Sequence, residues 1–218
     1  MLEDIKKKVV EIAKQADKAG LCKHKSGNFS IRDKKTGYIV ITPSGVDREV
    51  LTYKDACVMD LDANVIEAET NLKPSSEVLV HIQAYKSRPD VNAVVHTHSR
   101  FATAFAVIGK EIPPIVYEAA NYGKYVLVAH YGRPGTKQLA ESIIEPLKKT
   151  DACLMEQHGV LVVDENTLDN ALLKAFYVED VAEIYYRALN INGGKEPPVL
   201  PPEELEKWEY PSEIKFKK

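Results

Sequence analysis

Cysteine is scarce in this chain, and so is charge of one sign. Only three cysteines occur, Cys22, Cys57 and Cys153. Far apart and odd in number, they frame no disulfide scaffold and read as small apolar residues buried in a reducing compartment. A helix crossing a bilayer needs about 20 consecutive apolar residues. No run approaches that, so no membrane partner is expected. Lys and Arg total 29 against 32 Asp and Glu, a formal charge of −3. A general nucleic-acid binder carries a basic excess, and none is present. Repeats and low-complexity tracts are absent ahead of a Pro-rich tail. The first twenty residues read as a mixed-charge amphipathic helix, not a signal peptide, and the expected location is cytoplasmic.

What is there suits a globular domain. Hydrophobic residues make up 44% and charged residues 28% of 218 residues. A chain of this length buries roughly 70% of its unfolded surface, so it needs no disulfide or metal merely to fold. Helical spacing runs over the first eighteen residues up to Gly20. FSIR and YIVIT bracket a turn at Asp33–Gly37, and CVMDL and VIEAE form a second hairpin pattern. PSSEVLVHIQAYKSR reads as a helix capped by its serines, VNAVVHT as a strand and SRFATAFAVIG as a helix. YVLVAHY is a strand that includes His130. GTKQLAESIIEPLKKT is helical with a break predicted at Pro146. ACLME and VLVV are strands around Gln157-His158-Gly159, and a long helix follows from Thr167. The pattern predicts an α/β fold, a three-layer αβα sandwich with a central, mostly antiparallel sheet. Residues 1–192 are expected to form the domain, with 193–218 a Pro-rich strap of the same domain.

His96-Thr97-His98 follows the apolar strand VNAVV. Side chains two apart on a strand share a face, so both imidazoles can reach one metal ion. His158 follows another apolar strand and precedes Gly159, at a bend. Three neutral imidazoles with one open position suit a catalytic zinc site; the alternative is polar residues at strand ends. Pro74-Ser75-Ser76-Glu77 opens a helix. Its serine and glutamate suit a capped first turn, and equally a phosphate site with Glu77 as base or metal ligand beside it. His81, four residues on, shares the helical face of Glu77 and is a fourth candidate ligand. His24 reads as a surface loop residue. Ser26-Gly27-Asn28-Phe29-Ser30 and Thr42-Pro43-Ser44-Gly45 read either as plain turns or as anion cradles. If the first hairpin forms, the two loops meet at one edge of the sheet.

Gly27-Asn28-x-Ser30-x-Arg32, Thr42-Pro43-Ser44-Gly45, Ser75-Ser76-Glu77, His96-x-His98 and His158-Gly159 together resemble the class II aldolase/ribulose-phosphate epimerase family. The likeness spans about residues 1–190. The resemblance implies one Zn2+ per subunit, held by His96, His98 and His158, with Glu77 as a resting ligand and the catalytic acid/base. It implies phosphate binding by Gly27, Asn28, Ser44, Gly45, Ser75 and Ser76. Tyr117 matches a catalytic tyrosine contributed across a subunit boundary, in a homotetramer with sites at subunit interfaces. Its apolar neighbours Ile112–Val116, exposed on a monomer, would form a patch for oligomer contact to cover. Tyr210 is the candidate for a second aromatic near the site. The implied substrate is a sugar phosphate, a ketose 1-phosphate with L-fuculose 1-phosphate as first candidate, cleaved to dihydroxyacetone phosphate and an aldehyde. The family also holds ribulose-phosphate 4-epimerases, methylthioribulose-1-phosphate dehydratases and the non-catalytic adducin head. Glu77, where the epimerases carry Asp, favours the aldolase, and the full histidine set disfavours the adducin type.

Overall fold

The computed structural model describes residues 1–207; Tyr210 lies outside the described residues. Among these residues eight strands form one sheet: β1 (Asn28–Arg32), β2 (Ile39–Ile41), β3 (Cys57–Met59), β4 (Val65–Glu67), β5 (Ala93–Thr97), β6 (Leu127–Ala129), β7 (Ala152–Met155) and β8 (Gly159–Asp164). Their order is β4-β3-β2-β1-β5-β8-β7-β6. Every pairing is antiparallel except β6 with β7. Short turns join β1 to β2, β3 to β4 and β7 to β8, which is why antiparallel pairing prevails.

Among the described residues six α-helices cover both faces: α1 (Glu3–Lys18), α2 (Val78–Ser87), α3 (Arg100–Val107), α4 (Lys137–Ser142), α5 (Ile144–Leu147) and α6 (Leu168–Ile191). Strand side chains alternate between two cores. Phe29, Val40, Val58, Val95, Val160 and Val162 pack with Val9, Ile12, Ala13 and the α6 residues Ala175 and Val178. Ile39, Ile41, Val94, Leu161 and Val163 pack with Ile82, Tyr85, Leu139 and Leu147. The result is α1/α3/α6, sheet, α2/α4/α5, the expected three layers. Cys22, Cys57 and Cys153 are free and buried, and burial pushes their thiols up to about 11, about 11 and about 12.

Several local expectations shift. The break before Pro146 comes at Ile143, between α4 and α5. Pro146 has no N–H to give the Ser142 carbonyl, so the helical ladder cannot pass that point. His130 lies just past β6. Helix α2 begins at Val78 with Glu77 at its N-cap and no side-chain cap. Ser75 Oγ instead accepts the Glu77 N–H at 3.2 Å. Ile112 is fully buried and bridges Val126, while Ile115 and Val116 pack on the core. The expected apolar patch is therefore largely covered by this chain itself. After α6 the chain docks on that region. The Leu200 N–H donates to the Pro114 carbonyl at 2.9 Å, Lys110 pairs with Glu196 at 2.5 Å, and Leu205 is buried. No helix of the described residues is long and apolar enough to cross a membrane.

Candidate active site

Strand β5 carries His96 on the same side of the sheet as Val94, and His98 follows just past the strand's end. The β7–β8 hairpin delivers His158. Its turn holds Gln157 at a φ of 54°, and the His158 N–H donates to the Met155 carbonyl at 3.0 Å. Gly159 is required next. A Cβ there would sit 2.5 Å from the Thr97 carbonyl oxygen and 3.1 Å from His96 Cε1. Glu77, ahead of α2, closes the cluster.

Glu77, His96, His98 and His158 each offer one ligand atom, and these atoms lie within 4.8 Å of one another. His96 Nδ1 lies 2.8 Å from the Val160 carbonyl, which only accepts. Nδ1 therefore carries the proton, and Nε2 is left with a bare lone pair. That Nε2 faces His98 Nε2 at 2.9 Å and Glu77 Oε2 at 3.2 Å. Glu77 Oε1 lies 3.0 Å from His158 Nε2. Lone pairs this close call for a shared cation. Three imidazoles and a carboxylate suit a divalent ion of the zinc class. The bond from His96 to the Val160 carbonyl is the kind of outer contact that fixes a ligating imidazole. Burial, with the imidazoles of His96 and His158 beside it, pulls His98 down to about 4. It is neutral at physiological pH, as a ligand must be. Burial also opposes charge on Glu77, but positive charge gathered at the His96 and His158 imidazoles outweighs it and holds the carboxyl well below the usual range.

Glu77, His98 and His158 of the cluster form one wall of a cleft of about 340 Å³. The loops at Lys25–Asn28, Pro43–Gly45 and Ser75–Ser76, with Pro134, form the rest. They meet, as expected, but at the ends of interior strands β1 and β2 and not at a sheet edge. A groove of about 380 Å³ between α2, α4 and the β3–β4 turn lies away from these groups.

A family model described as class II aldolase and adducin N-terminal domain matches residues 7–186. The chain belongs to this family. A 5-deoxy-D-ribulose 1-phosphate aldolase of Bacillus thuringiensis serovar kurstaki is 37% identical over 206 residues, covering 94% of each chain. An L-fuculose phosphate aldolase of Escherichia coli K12 is 36% identical, covering 91% of this chain and 89% of its own. A solved L-fuculose 1-phosphate aldolase superposes with a TM-score of 0.87 at 36% identity, covering 93% of each chain. The protein is a class II aldolase, a lyase of the aldehyde-releasing kind.

Within this aldolase, Gly27, Asn28, Ser44, Gly45, Ser75 and Ser76 all line the cleft, with Ser44 and Ser76 exposed. Tyr117 does not line it; the residue is 39% exposed, in a 3-10 turn over Tyr117–Tyr122. His81 is no ligand. It is fully buried, with Nε2 2.5 Å from Asn28 Oδ1 and Nδ1 2.6 Å from Ser30 Oγ. Asn28 Nδ2 in turn donates to Glu77 Oε2 at 2.9 Å. An ionised carboxylate only accepts, and this fixes every direction behind it. Asn28 shows its NH₂ to Glu77 and its carbonyl to His81. His81 Nε2–H donates to that carbonyl. Ser30 donates to His81 Nδ1 and accepts from Tyr85, 2.7 Å away. Both ends of the Asn28 amide are thus engaged, which turns its side chain toward Glu77. Sequence reasoning missed this chain, and also missed Lys25, which lines the cleft.

Proposed function

We propose that this aldolase cleaves a ketose 1-phosphate, with L-fuculose 1-phosphate first, to dihydroxyacetone phosphate and an aldehyde. It does so in the cytoplasm with one Zn2+ per subunit, as a homotetramer in which Tyr117 completes a neighbour's site. The observation that carries this reading is one cleft uniting an imidazole–carboxylate cluster with three loops rich in hydroxyl and amide groups. His96, His98 and His158, with Glu77 as the resting fourth ligand, would hold the ion. When bound, the ion supplies Lewis-acid polarisation of the substrate carbonyl.

The chain's own residues do the rest. The hydroxyls of Ser44, Ser75 and Ser76 and the backbone at Gly27 and Gly45 bind the phosphate, which sets the reacting carbons against the cluster. Glu77 carries the proton at the carbon next to the carbonyl. It takes this proton from dihydroxyacetone phosphate in the condensing direction and returns it on cleavage. Asn28 holds one oxygen of Glu77, and the other rests 3.0 Å from His158 Nε2, from which it turns to the substrate when the carboxylate leaves the ion. The Tyr117 hydroxyl exchanges a proton with the oxygen that becomes the aldehyde.

A second reading, 5-deoxyribulose 1-phosphate as substrate, is favoured by the Bacillus relative. The test is a panel of ketose 1-phosphates given to zinc-loaded protein, with both fragments identified. L-Fuculose 1-phosphate yields a three-carbon hydroxyaldehyde; the 5-deoxypentulose phosphate yields acetaldehyde. A C-4 epimer or a dehydrated product in place of two fragments would overturn the proposal. So would inertness toward the whole panel.

A further inference from the structure

The phosphate reading leaves a dianion held mainly by neutral donors. A buried charge lies under one of the loops. Arg48 is 3% exposed, and no carboxylate among the described residues forms an ion pair with it. Its Nη2 donates to the Gly27 carbonyl at 2.6 Å and to the Ser26 carbonyl at 3.3 Å. Its Nε and Nη1 are buried without a hydrogen-bond partner. The guanidinium centre lies 5.9 Å from the centroid of the Phe29 ring. Burial pulls Arg48 down from its usual value, yet a guanidinium keeps its proton in proteins. Asp17 and Asp47 favour its charge from beyond ion-pair distance, and a buried cation without a paired anion is costly, so a closer negative charge in the working molecule would offset it.

Its position says what. A trans peptide points its carbonyl and N–H in opposite directions. Arg48 grips the Ser26 carbonyl, which turns the Gly27 N–H away from the guanidinium. That N–H makes no hydrogen bond among the described residues, and Gly27 lines the cleft. A side chain cannot cover it, since a Cβ at Gly27 would lie 2.3 Å from Cys22 Sγ and 2.9 Å from the His96 carbonyl. The charge on Arg48 is shielded from water by the same loop, so solvent screens it weakly.

We propose that Arg48 is the positioning residue of the Ser26–Gly27 loop and the buried counter-charge for the substrate's phosphate group. This rests on the cleft binding phosphate as proposed above. Lys25 at the rim adds mobile charge; Arg48 supplies a fixed one from below.

The test compares Arg48→Gln, Arg48→Lys and Ser76→Ala, each zinc-loaded, for inhibition by inorganic phosphate and for turnover of a ketose 1-phosphate and its unphosphorylated ketose. Arg48→Gln should raise the phosphate Ki and the KM of the phosphorylated ketose about tenfold or more, as loss of a charge-assisted contact would. Its preference for phosphorylated over unphosphorylated ketose should fall by the same factor. Arg48→Lys should recover most of that loss. Should Arg48→Gln not fold, Arg48→Lys decides: a Ki within about threefold of the parent supports the charge, and a tenfold rise overturns it. If Ser76→Ala weakens phosphate selectively while Arg48→Gln leaves the preference intact, this inference fails and the phosphate cleft stands. If neither variant alters phosphate binding, the cleft itself is misassigned and both fail.

Discussion

Gly159→Ala adds one carbon at the point where β8 meets the end of β5. That carbon would stand 2.5 Å from the Thr97 carbonyl oxygen, 3.1 Å from His96 Cε1 and 3.6 Å from His98 Cδ2. Real Cβ atoms essentially never approach closer than 3.0 Å, so the two strands must part by at least about 0.5 Å. The parting falls on paired residues, Thr97 with Val160 and His96 with Leu161, in the middle of the sheet. Overpacking of this kind costs about 1–3 kcal/mol. In a chain of this size that lowers Tm by about 2–12 °C. A second effect is chemical. His158 sits on the displaced turn, whereas His96 and His98 stay with β5, and metal–ligand distances tolerate only about ±0.2 Å. Affinity for the ion should fall about 10- to 100-fold, as when supporting contacts of other metal sites are lost. Thermal unfolding of metal-free protein reads the first effect. Retained zinc after dialysis against graded chelator reads the second. A Gly159→Ala protein that melts with the parent and keeps its metal against the same chelator would refute the argument from close approach.

Glu77→Gln should lower turnover about 10²–10⁴-fold, with proton exchange from dihydroxyacetone phosphate falling in parallel while metal is retained; unchanged exchange would reduce Glu77 to a ligand. Burial pushes His81 down to about 3, from an ordinary value near 6.5. The unfolded chain therefore takes a proton that the folded one refuses, so stability is full above about pH 6.5 and falls as pH drops toward 3. The urea midpoint of metal-free protein should decline less steeply between pH 7 and 4 in His81→Phe, and equal slopes would show that His81 is not the cause. Lys25→Met should raise the KM of the phosphorylated substrate by a few fold and flatten its dependence on salt; an unaltered salt dependence would place Lys25 outside the binding field. Mixing inactive Tyr117→Phe with inactive His96→Ala under subunit exchange should restore activity, and verified hybrids that stay inactive would confine Tyr117 to its own chain.

Period-two alternation made the fold legible. The interior strands show opposite faces to two different cores, as Val94 and Val95 do, and tight turns allow only antiparallel neighbours. What alternation cannot carry is strand order. That β1 pairs with β5, bringing Asn28 opposite His96, depends on which strand edges are free after the hairpins close. The expectation that the two loops would meet at an edge failed for this reason. Ile112–Val116 failed similarly, because no local pattern announces that residues beyond α6 fold back over Pro114.

The histidine cluster was legible because a strand repeat brings His96 and His98 to one side whatever the rest does. His81 ranked behind the other three histidines as a ligand, and the face it was expected to share with Glu77 came from a rule applied outside its domain. Residues four apart share a face only where both are helical. Glu77 has a φ of −104° and a ψ of 16° and precedes α2. Its side chain is therefore aimed by the loop, while His81 is aimed by the helix into the layer beneath the sheet. Burial then does what sequence cannot show. A lone buried imidazole would be an unsatisfied polar group, and the only partners that satisfy both of its nitrogens here are Ser30 and Asn28, one strand away. Pairing with them commits the Asn28 amide, and the committed amide commits one oxygen of Glu77. The orientation of the proposed base is thus set three residues deep in the protein, by groups that no single motif contains.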